Sequence, residues 1–477
     1  MAKLFIDGVW QAADGGETMP VFAPSTGQEI ARIACAGASD VDRAVKAARR
    51  AVEGAWGRLT ATERGRLMMR LAERILDHAQ ELTDLEARDT GKPMSQARAD
   101  VQALARYFEY YGAAADKVHG DTIPYLNGYN IAIVKEPHGV TAHITPWNYP
   151  AQMFGRTLAP ALAMGNATVI KPAEDACLSA LRIVELAAEV GLPDGALNLV
   201  TGRGEEAGAA LAAHPDINFI SFTGSPEVGT LIQTAAARNH IGCTLELGGK
   251  SPQVVFADAD MDLALPTVQK AIIQNAGQTC SAGSRLLVQR SVYDGFTERL
   301  AESFAKVRVG PHHIDPDCGP VINPAQRARV QGYIDRARAD GIPVIAEAQY
   351  VPDLPAGGYY VLPTLFGPVP RGNALACEEV FGPVLSILPF EDEEDAVRLA
   401  NATEYGLVAG VWTRDGAKAQ RVARRIRSGQ VFINCYGAGG GVELPFGGVK
   451  KSGHGREKGF MALEEFCVTK TVVNYHG

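Results

Sequence analysis

Two early stretches of the chain repeat apolar residues at helical spacing. In SDVDRAVKAARRAVEGAW and TATERGRLMMRLAERIL, apolar side chains recur every three or four positions, which predicts two amphipathic helices. Ser39 is followed three positions later by Asp42, and Thr60 is followed in the same way by Glu63. Because this spacing is typical of a capping box, we predict that the helices begin at Ser39 and Thr60.

Further along the chain the pattern changes to short apolar runs. HGDTIPYLNGYNIAIVKEPHGV has strand-like periodicity, with Asn127 and Gly128 as the predicted hairpin turn. After Gly139 the runs GVTAHI, ATVIKP, LNLVTG, NFISFTG and CTLEL alternate with helical stretches, which predicts a doubly wound parallel sheet. A second alternating set, PQVVFA, SRLLVQR, PVLSILPF, LVAGVWT and QVFIN, predicts a second α/β domain.

The final run, FCVTKTVVNY, predicts a strand that remains after both domains have closed. A terminal strand usually needs a sheet edge, and the hairpin at Asn127 is the other β element without a place. Pairing with a neighbouring subunit would satisfy both elements. The alternative is that each adds to the edge of its own domain.

Composition limits the class of partner. A chain of 477 residues with 46% hydrophobic and 21% charged content is typical of a globular protein with two or three domains. The net charge is −8 and no dense block of Lys and Arg occurs, which favours a small-molecule partner over nucleic acid or a membrane surface. Asp7 interrupts the first apolar run, and the run from Leu158 is too short to span a bilayer, so we expect a cytoplasmic protein.

The eight cysteines are scattered, without a CxxC pair. This spacing predicts neither a disulfide framework nor a zinc site, and no metal is expected. Cys280, in GQTCSAGSR, lies in a predicted turn of small residues. Free cysteines are commonly buried core residues, so Cys280 taken alone is as compatible with packing as with catalysis.

Three segments are candidates for binding a dinucleotide. VTGRGEEAG fits the G-x-G-x-x-A pattern, but it does not follow the first strand of its unit, which favours an ordinary helix-entry turn. In SFTGSPEVG a glycine turn leads into a helix whose free N–H groups would attract phosphate, although an ordinary capped helix has the same pattern. In IKPAED, Lys171 and Glu174 lie at the carboxyl end of a strand, where the carboxylate favours NAD over NADP.

Four further segments complete a recognisable set. They are TPWNYP with Asn148, LELGGKSP with Glu246, GQTCSAGSR with Cys280, and EEVFGPV with Glu379 and Phe381. In this order along the chain, and together with KPAE, FTGS and PFGGVKKSGHGRE, these four segments resemble the aldehyde dehydrogenase superfamily over nearly the whole chain. The resemblance implies an NAD(P)-dependent enzyme that oxidises aldehydes, with NAD as the cofactor and NADP as the alternative.

The resemblance also implies a catalytic role for three residues. The Cys280 thiolate would attack the aldehyde carbon. Asn148 and the backbone N–H of Cys280 would bind the oxyanion. The resulting thiohemiacetal would collapse by hydride transfer to the nicotinamide and leave a thioester, for whose hydrolysis Glu246 would activate water. Taken alone, Asn148 is equally compatible with capping the helix after Pro150, and Glu246 with an ion pair at a strand end.

The family pattern supplies two further groups of residues. The implied cofactor-binding residues are Ile144, Pro146, Trp147, Lys171, Glu174, Gly204, Thr223, Gly224, Ser225, Gly229, Leu247, Gly248, Glu379 and Phe381. Glu379 would hold the nicotinamide ribose, and Phe381 would pack near the ring. The implied substrate tunnel is lined by Tyr149, Met153, Arg156, Gln274, Thr279, Ser281, Tyr436 and Phe446.

Glu246 separates the alternatives. Relatives that transfer the acyl group to coenzyme A generally lack this glutamate, so its presence favours hydrolysis to a free acid. A cysteine hydrolase would need a histidine base, and none of the four segments that contain Asn148, Glu246, Cys280 and Glu379 includes a histidine. A non-catalytic structural protein on the same fold would tolerate loss of Cys280 or Glu246, and both residues are present.

Arg156 bears on the choice of aldehyde. It resembles the arginine with which succinic-semialdehyde dehydrogenases meet the distal carboxylate of their substrate. Gln274 stands where those enzymes carry a second arginine, and GAGGGVE, from Gly437, replaces their serine-bearing loop. We therefore expect a bulkier semialdehyde or an aromatic aldehyde. An ordinary ion-paired surface role for Arg156 is the alternative.

The family pattern also implies the domain organisation. Residues 1–117 and 139–247 would form the dinucleotide-binding domain, and residues 248–435 the catalytic domain. Residues 118–138 and 464–477 would form a small β oligomerisation arm, and residues 436–463 a substrate-side loop and return segment. The terminal strand would then join the chains of a homodimer or homotetramer.

Overall fold

The structure, a computed structural model, describes residues 3–437 and 441–477. The strands, numbered in chain order, are β1 Leu4–Ile6, β2 Val9–Gln11, β3 Thr18–Phe22, β4 Glu29–Ala34, β5 Asp121–Thr122, β6 Tyr129–Pro137, β7 Val140–Thr145, β8 Ala167–Pro172, β9 Leu197–Leu199, β10 Phe219–Thr223, β11 Gly242–Glu246, β12 Pro252–Val255, β13 Arg285–Gln289, β14 Arg308–Val309, β15 Val344–Glu347, β16 Gln349–Tyr350, β17 Thr364–Phe366, β18 Val384–Phe390, β19 Val408–Trp412, β20 Gln430–Ile433, β21 Gly453–His454 and β22 Cys467–Tyr475.

The α-helices are α1 Ala38–Glu53, α2 Ala61–Asp77, α3 Ala79–Thr90, α4 Met94–Ala114, α5 Pro150–Ala163, α6 Leu178–Glu189, α7 Ala209–Ala213, α8 Pro226–Arg238, α9 Met261–Ile273, α10 Tyr293–Phe304, α11 Pro324–Ala339, α12 Ala374–Cys377, α13 Glu393–Ala400, α14 Gly416–Arg425 and α15 Met461–Glu465. In the described part of the chain, no helix is long and apolar enough to cross a membrane.

The first large sheet has the strand order β2-β1-β9-β8-β7-β10-β11-β21. Its central strands, from β9 to β11, are all parallel, and β1 and β21 join them in the antiparallel sense. The parallel strands alternate along the chain with α5, α6, α7 and α8. This arrangement confirms the predicted doubly wound, Rossmann-like sheet.

The second large sheet has the order β15-β17-β18-β13-β12-β19-β20. All its strands except β15 run parallel. A separate buried apolar cluster surrounds it, from Val254 to Ile426, whereas the first sheet lies in a cluster that begins at Leu4. The five strands predicted for this α/β unit all occur, and the short strands β15 and β17 were not predicted.

The terminal strand pairs within its own chain. β22 lies antiparallel to β6 along its whole length, from Cys467 opposite Pro137 to Tyr475 opposite Tyr129, and β5 completes the sheet. The alternative that each element adds to the edge of its own domain is wrong, because the two pair with each other, and pairing with a neighbouring subunit stays a prediction. Together they form the small β arm expected beside the two α/β units.

One of the two predicted helix starts is correct. Thr60 caps α2, because its hydroxyl accepts from the N–H of Glu63 at 3.2 Å and its own N–H donates to that carboxylate at 2.8 Å. The start predicted at Ser39 is wrong. α1 begins at Ala38, and Gly37 donates its N–H to the buried carboxylate of Asp40 at 2.9 Å. Ser39 therefore lies within the first turn of α1, and Asp40 binds the N–H of the glycine that precedes the helix.

Candidate active site

The first sheet presents its candidate residues at the carboxyl ends of parallel strands. Glu246 is the last residue of β11, and Asn148 follows β7 by three residues. Ligands of open α/β sheets bind at this edge. The loop with Cys280 reaches the same region from the second unit, because a Cβ on Gly249 would lie 2.4 Å from the carbonyl oxygen of Cys280.

A strained turn lies shortly before Cys280 in the chain. After α9 ends, Asn275, Ala276 and Gly277 all adopt left-handed backbone angles, with φ of 48°, 52° and 71°. Gly277 is required there, since a Cβ would lie 2.1 Å from the carbonyl oxygen of Gly382. Backbone strain of this kind persists only where the surroundings hold it, and it is common at functional sites.

Asn148 is bound to that turn. Its Nδ2 donates to the carbonyl oxygen of Gln278 at 2.9 Å, two residues before Cys280. Its own backbone carbonyl accepts from Asn275 Nδ2 at 2.8 Å and from Lys92 Nζ at 3.0 Å. Its Oδ1 is buried and accepts no hydrogen bond within the described residues. Asn148 therefore does not cap α5, and the alternative of an ordinary capping residue is wrong.

Glu246 is a buried carboxylate beside a buried cation. Only 1% of its surface is exposed, and Nη2 of Arg156 lies 3.6 Å from its Oε2. Burial raises the pKa of Glu246 well above its ordinary value, while Arg156 acts in the opposite direction. Arg156 also forms an ion pair with Glu457 and lies 4.2 Å from the ring centre of Phe446. An exposed surface role for Arg156 is therefore wrong.

The electrostatic environment keeps Cys280 protonated at rest. Burial raises the pKa of the Cys280 thiol, the charge of Arg156 lowers it and the charge of Glu246 raises it, with a net pKa of about 12. A thiol reacts through its thiolate. The site therefore needs a base or an added charge at the moment of reaction.

The candidate cofactor residues at β8 and β9 lie together. Lys171 Nζ is 2.6 Å from Glu174 Oε2, and the N–H of Gly204 donates to Glu174 Oε1 at 3.2 Å. Burial opposes the charge on Glu174, but Lys171 lowers its pKa below the ordinary value. The segment interpreted as a helix-entry turn does begin a helical turn, at Gly204–Gly208, and it also contacts the Lys171 and Glu174 pair.

The junction between β10 and α8 is exposed at Ser225, which caps the helix. Ser225 is exposed, and its hydroxyl accepts from the N–H of Val228 at 3.3 Å. Thr223, the last residue of β10, has a buried hydroxyl without a hydrogen-bond partner among the described residues. A Cβ on Gly229 would lie 2.7 Å from Leu247, so this glycine allows α8 to pack against the end of β11. The orphaned hydroxyl and the free N–H groups fit a polar ligand such as a phosphate.

Glu379 lies over the LELGG turn. Its Oε1 accepts from the N–H of Gly249 at 2.8 Å, and a Cβ on Gly248 would lie 2.2 Å from its Oε2. Burial raises the pKa of Glu379 to about 7. Phe381 meets Trp147 edge to face, with ring centres 5.4 Å apart. Of the remaining candidates, Ile144 lies in β7 and Pro146 directly follows that strand.

Several candidate tunnel residues contact one another. The Tyr149 hydroxyl is 2.8 Å from that of Thr279, and Gln274 Nε2 donates to it at 3.1 Å. The Tyr436 hydroxyl donates to the carbonyl oxygen of Ser281 at 2.7 Å. Phe446, Tyr436 and Cys280 belong to one apolar cluster, and Met153 is buried in the first turn of α5. Residues 438–440 of the predicted GAGGGVE loop lie outside the described residues.

The sequence reasoning missed the side chains that support these groups. Glu457 pairs with Arg156, Lys92 and Asn275 hold the Asn148 carbonyl, and Lys458 lies 5.6 Å from the ring centre of Phe446. Burial lowers the pKa of Lys458 to about 7. Glu457 is within the late motif SGHGRE, which was a usable signal. Lys92 follows a glycine outside every motif considered.

Comparison with known proteins agrees with this geometry. The model of the aldehyde dehydrogenase family matches residues 10–472. Human retinal dehydrogenase 2 is 42% identical over 98% of this chain and 91% of its own. A solved Burkholderia cenocepacia protein assigned as an aldehyde dehydrogenase is 61% identical over all of both chains, with a TM-score of 0.99.

A solved betaine aldehyde dehydrogenase of Staphylococcus aureus, in complex with NAD+, is 38% identical, with a TM-score of 0.96. The alignment covers all of this chain and 95% of that one. The family match covers far more than half of the sequence, and identity to the relatives is high along its whole length. The chain therefore belongs to the aldehyde dehydrogenase family.

Proposed function

We propose that this enzyme oxidises an aldehyde to the free carboxylic acid with NAD, through a covalent intermediate on Cys280. The observation that carries the proposal is the hydrogen bond of 2.9 Å between Asn148 Nδ2 and the carbonyl oxygen of Gln278. It joins the oxyanion donor to the loop of the nucleophile, beside the buried carboxylate of Glu246. This combination suits acyl transfer followed by hydrolysis.

The chain's own residues supply the covalent chemistry. Cys280 Sγ releases its proton to solvent and bonds to the aldehyde carbon, while the second N–H of the Asn148 amide and the backbone N–H of Cys280 bind the developing oxyanion. Bound NAD supplies the acceptor for the hydride that leaves this carbon. Glu246 then removes a proton from a water molecule, whose oxygen attacks the thioester carbon and breaks the C–S bond. The acid leaves, and the proton held by Glu246 returns to Cys280 Sγ, which restores the thiol.

The charges around Arg156 support a substrate without a carboxylate. Arg156 is already paired with Glu457 and lies close to Glu246. A substrate carboxylate would have to displace one of these buried partners, which is costly. Tyr149, Tyr436 and Phe446 lie around Cys280 and offer aromatic surface. We therefore favour an aromatic aldehyde over a semialdehyde with a distal acidic group.

The cofactor preference rests on the pair formed by Lys171 and Glu174. Glu174 has a lowered pKa and is therefore charged at neutral pH. A carboxylate at this position accepts a hydrogen bond from a free 2′-hydroxyl and repels a 2′-phosphate. NAD, with a free 2′-hydroxyl, is thus preferred to NADP, and Glu379, Thr223 and Ser225 would contribute to the same binding region.

The oligomer also belongs to the proposal. β22 is an edge strand with exposed apolar side chains at Val472, Val473 and Tyr475. Such an edge invites pairing with another chain, so we propose a homodimer or homotetramer assembled through this arm. The domain boundaries given above remain part of the same proposal, and the cytoplasmic location stays a prediction.

The test is a panel of aromatic, aliphatic and carboxylated aldehydes with NAD or NADP, in which reduced cofactor and product are measured. We expect NAD reduction without added coenzyme A, release of the free acid, and the highest kcat/KM for an aromatic aldehyde. Failure to reduce either cofactor with any aldehyde would overturn the proposal. An acyl product formed only with coenzyme A would support the acylating alternative.

An arginine variant separates the two substrate classes. If Arg156→Ala lowers kcat/KM for carboxylated aldehydes much more than for neutral ones, Arg156 meets the substrate and the semialdehyde is favoured. We expect similar losses for both classes, because the arginine is occupied by Glu457 and Glu246.

A further inference from the structure

A fully buried lysine lies outside the catalytic and cofactor motifs. Lys92 follows α3, where Gly91 turns the chain with φ of 78°, and 1% of its surface is exposed. Its Nζ lies 2.5 Å from Asp100 Oδ2 and 3.3 Å from Glu86 Oε1. It also donates to the backbone carbonyl of Asn148 at 3.0 Å and lies 4.3 Å from the ring centre of Tyr149.

The lysine remains charged despite its burial. Burial alone would lower its pKa, but Asp100 and Glu86 hold the pKa above the ordinary value. A buried cation needs this compensation, and it polarises any carbonyl that it contacts. The bond to the Asn148 carbonyl is therefore a charge-assisted hydrogen bond, stronger than one between neutral groups.

The two carboxylates are themselves held. Asp100 Oδ1 accepts from Gln152 Nε2 at 2.6 Å, and Glu86 Oε2 accepts from the Ser179 hydroxyl at 2.8 Å. Glu86 Oε2 also accepts from the N–H of Ala151, in the first turn of α5, at 3.3 Å. The cluster thus binds α3, α4, α6 and the start of α5, and Nζ of Lys92 has little freedom to move.

We propose that Lys92 is a positioning residue that orients Asn148 for oxyanion binding. The Asn148 carbonyl accepts from Lys92 on one side and from Asn275 on the other, and its side-chain amide donates to Gln278. These contacts fix the orientation of the peptide from which the amide projects. Without Lys92 the carbonyl keeps only one donor, and the amide turns away from the oxyanion position. The inference rests on the proposed role of Asn148.

The experiment compares variants by structure and by pre-steady-state kinetics. Lys92→Met removes the donor. The double variant Lys92→Met with Asp100→Asn removes one cation and one anion together and leaves the net charge of the cluster unchanged. It is used if the single variant fails to fold. Ser179→Ala is the control, because it removes a hydrogen bond from the same cluster without touching Asn148.

We expect the rate constant of the first NADH turnover to fall about 10- to 100-fold in the Lys92 variants, at saturating NAD and aldehyde. The amplitude of that turnover, which counts competent subunits, and the KM for NAD should stay near those of the parent enzyme. Ser179→Ala should leave the rate constant within about twofold. A merely structural role would instead lower the amplitude and leave the rate constant unchanged, which would overturn the inference.

Crystal structures of the parent and the double variant give a readout that does not depend on activity. We expect the hydrogen bond between Asn148 and Gln278 to lengthen or break in the variant. An unmoved Asn148 overturns the inference, whatever the kinetics show. If the parent reduced no cofactor with any aldehyde, the proposed function would fail, while the position of Asn148 would still decide whether Lys92 orients it.

Discussion

Two helices that start at the same edge of the first sheet differ in the group that accepts from their first backbone N–H groups. α5 follows β7 and α8 follows β10, the strands are neighbours, and each helix begins with a proline, Pro150 or Pro226. α8 is capped by Ser225, the residue directly before it. At α5 the residue directly before the helix gives no cap from its side chain, and the N–H of Ala151 is instead satisfied by Glu86 of α3.

Because of this difference, the side chain of Asn148 is available for a contact outside the helix. Glu86, which belongs to another helix, accepts from the N–H of Ala151 at the start of α5. Asn148 does not cap this helix, and its amide donates to the carbonyl oxygen of Gln278 in the Cys280 loop. At α8 the Ser225 hydroxyl already serves the helix, so the site there relies mainly on free backbone N–H groups. Changes at the α5 start should therefore affect catalysis, whereas changes at the α8 start should affect stability.

The largest expected effect lies in the loop that the α5 start contacts. Cys280→Ala should reduce aldehyde-dependent NADH formation to background, because no carbon–sulfur bond can form. The thermal midpoint of unfolding should change little, since the side chain of Cys280 is small and only half-buried. Steady-state NADH formation, with thermal melting as the control, checks both. Substantial residual oxidation would remove Cys280 from the mechanism.

The second largest effect is expected at the α5 start. Asn148→Ala should lower kcat by about 10²- to 10³-fold, as loss of one oxyanion donor typically does. It should not destabilise α5 as a lost cap would, because Asn148 Oδ1 accepts from no helix N–H. Parallel measurements of kcat and of the free energy of unfolding test the two statements. A stability loss with unchanged kcat would make the α5 start resemble the α8 start.

A smaller effect is expected from the charge next to this site. Burial holds the pKa of Cys280 near 12, so its alkylation rate by iodoacetamide should rise about tenfold per pH unit between pH 7 and 10. Arg156 lowers this pKa, so Arg156→Met should raise it and slow alkylation by about tenfold at each pH. A rate that levels off near neutral pH would contradict the assigned thiol state.

The smallest kinetic effect is expected at the α8 start. Ser225→Ala removes a local cap and should cost about 1 kcal/mol of unfolding free energy. Its kcat should stay within about twofold, and any change should appear in the KM for NAD. Denaturant unfolding and steady-state kinetics measure these quantities. A kcat loss as large as that of Asn148→Ala would remove the contrast between the two helix starts.

Much of the fold was predictable because its signals are local. The alternation of apolar runs with helical stretches predicted both parallel sheets, and Thr60 with Glu63 predicted the start of α2. The predictions were wrong where two neighbouring residues can each begin a helix, and where paired strands are far apart in sequence. At α1, Asp40 accepts from the N–H of Gly37 and the helix starts before Ser39, and β22 pairs with β6 although most of the chain separates them.

The candidate site shows the same division. The sequence motifs indicated Cys280, Glu246 and Asn148 as candidates, but not the state of any of them. The motifs could not show that Arg156 is buried against Glu457, or that Lys92 reaches the Asn148 carbonyl. Each of these contacts joins segments far apart in sequence, and no periodicity or spacing relates their positions.

By itself, the sequence determined the α/β class, the cap of α2 at Thr60 and the residue types available for thiol chemistry, because these depend on near neighbours and on composition. Only the tertiary structure decided what each buried polar group does. In a low-dielectric interior a charge or amide must be paired, and the partner is whichever group the fold brings within about 3 Å. For Asn148 those partners are Lys92, Asn275 and Gln278. They fix its backbone carbonyl and its side-chain amide, and the amide donates to the Cys280 loop instead of capping a helix.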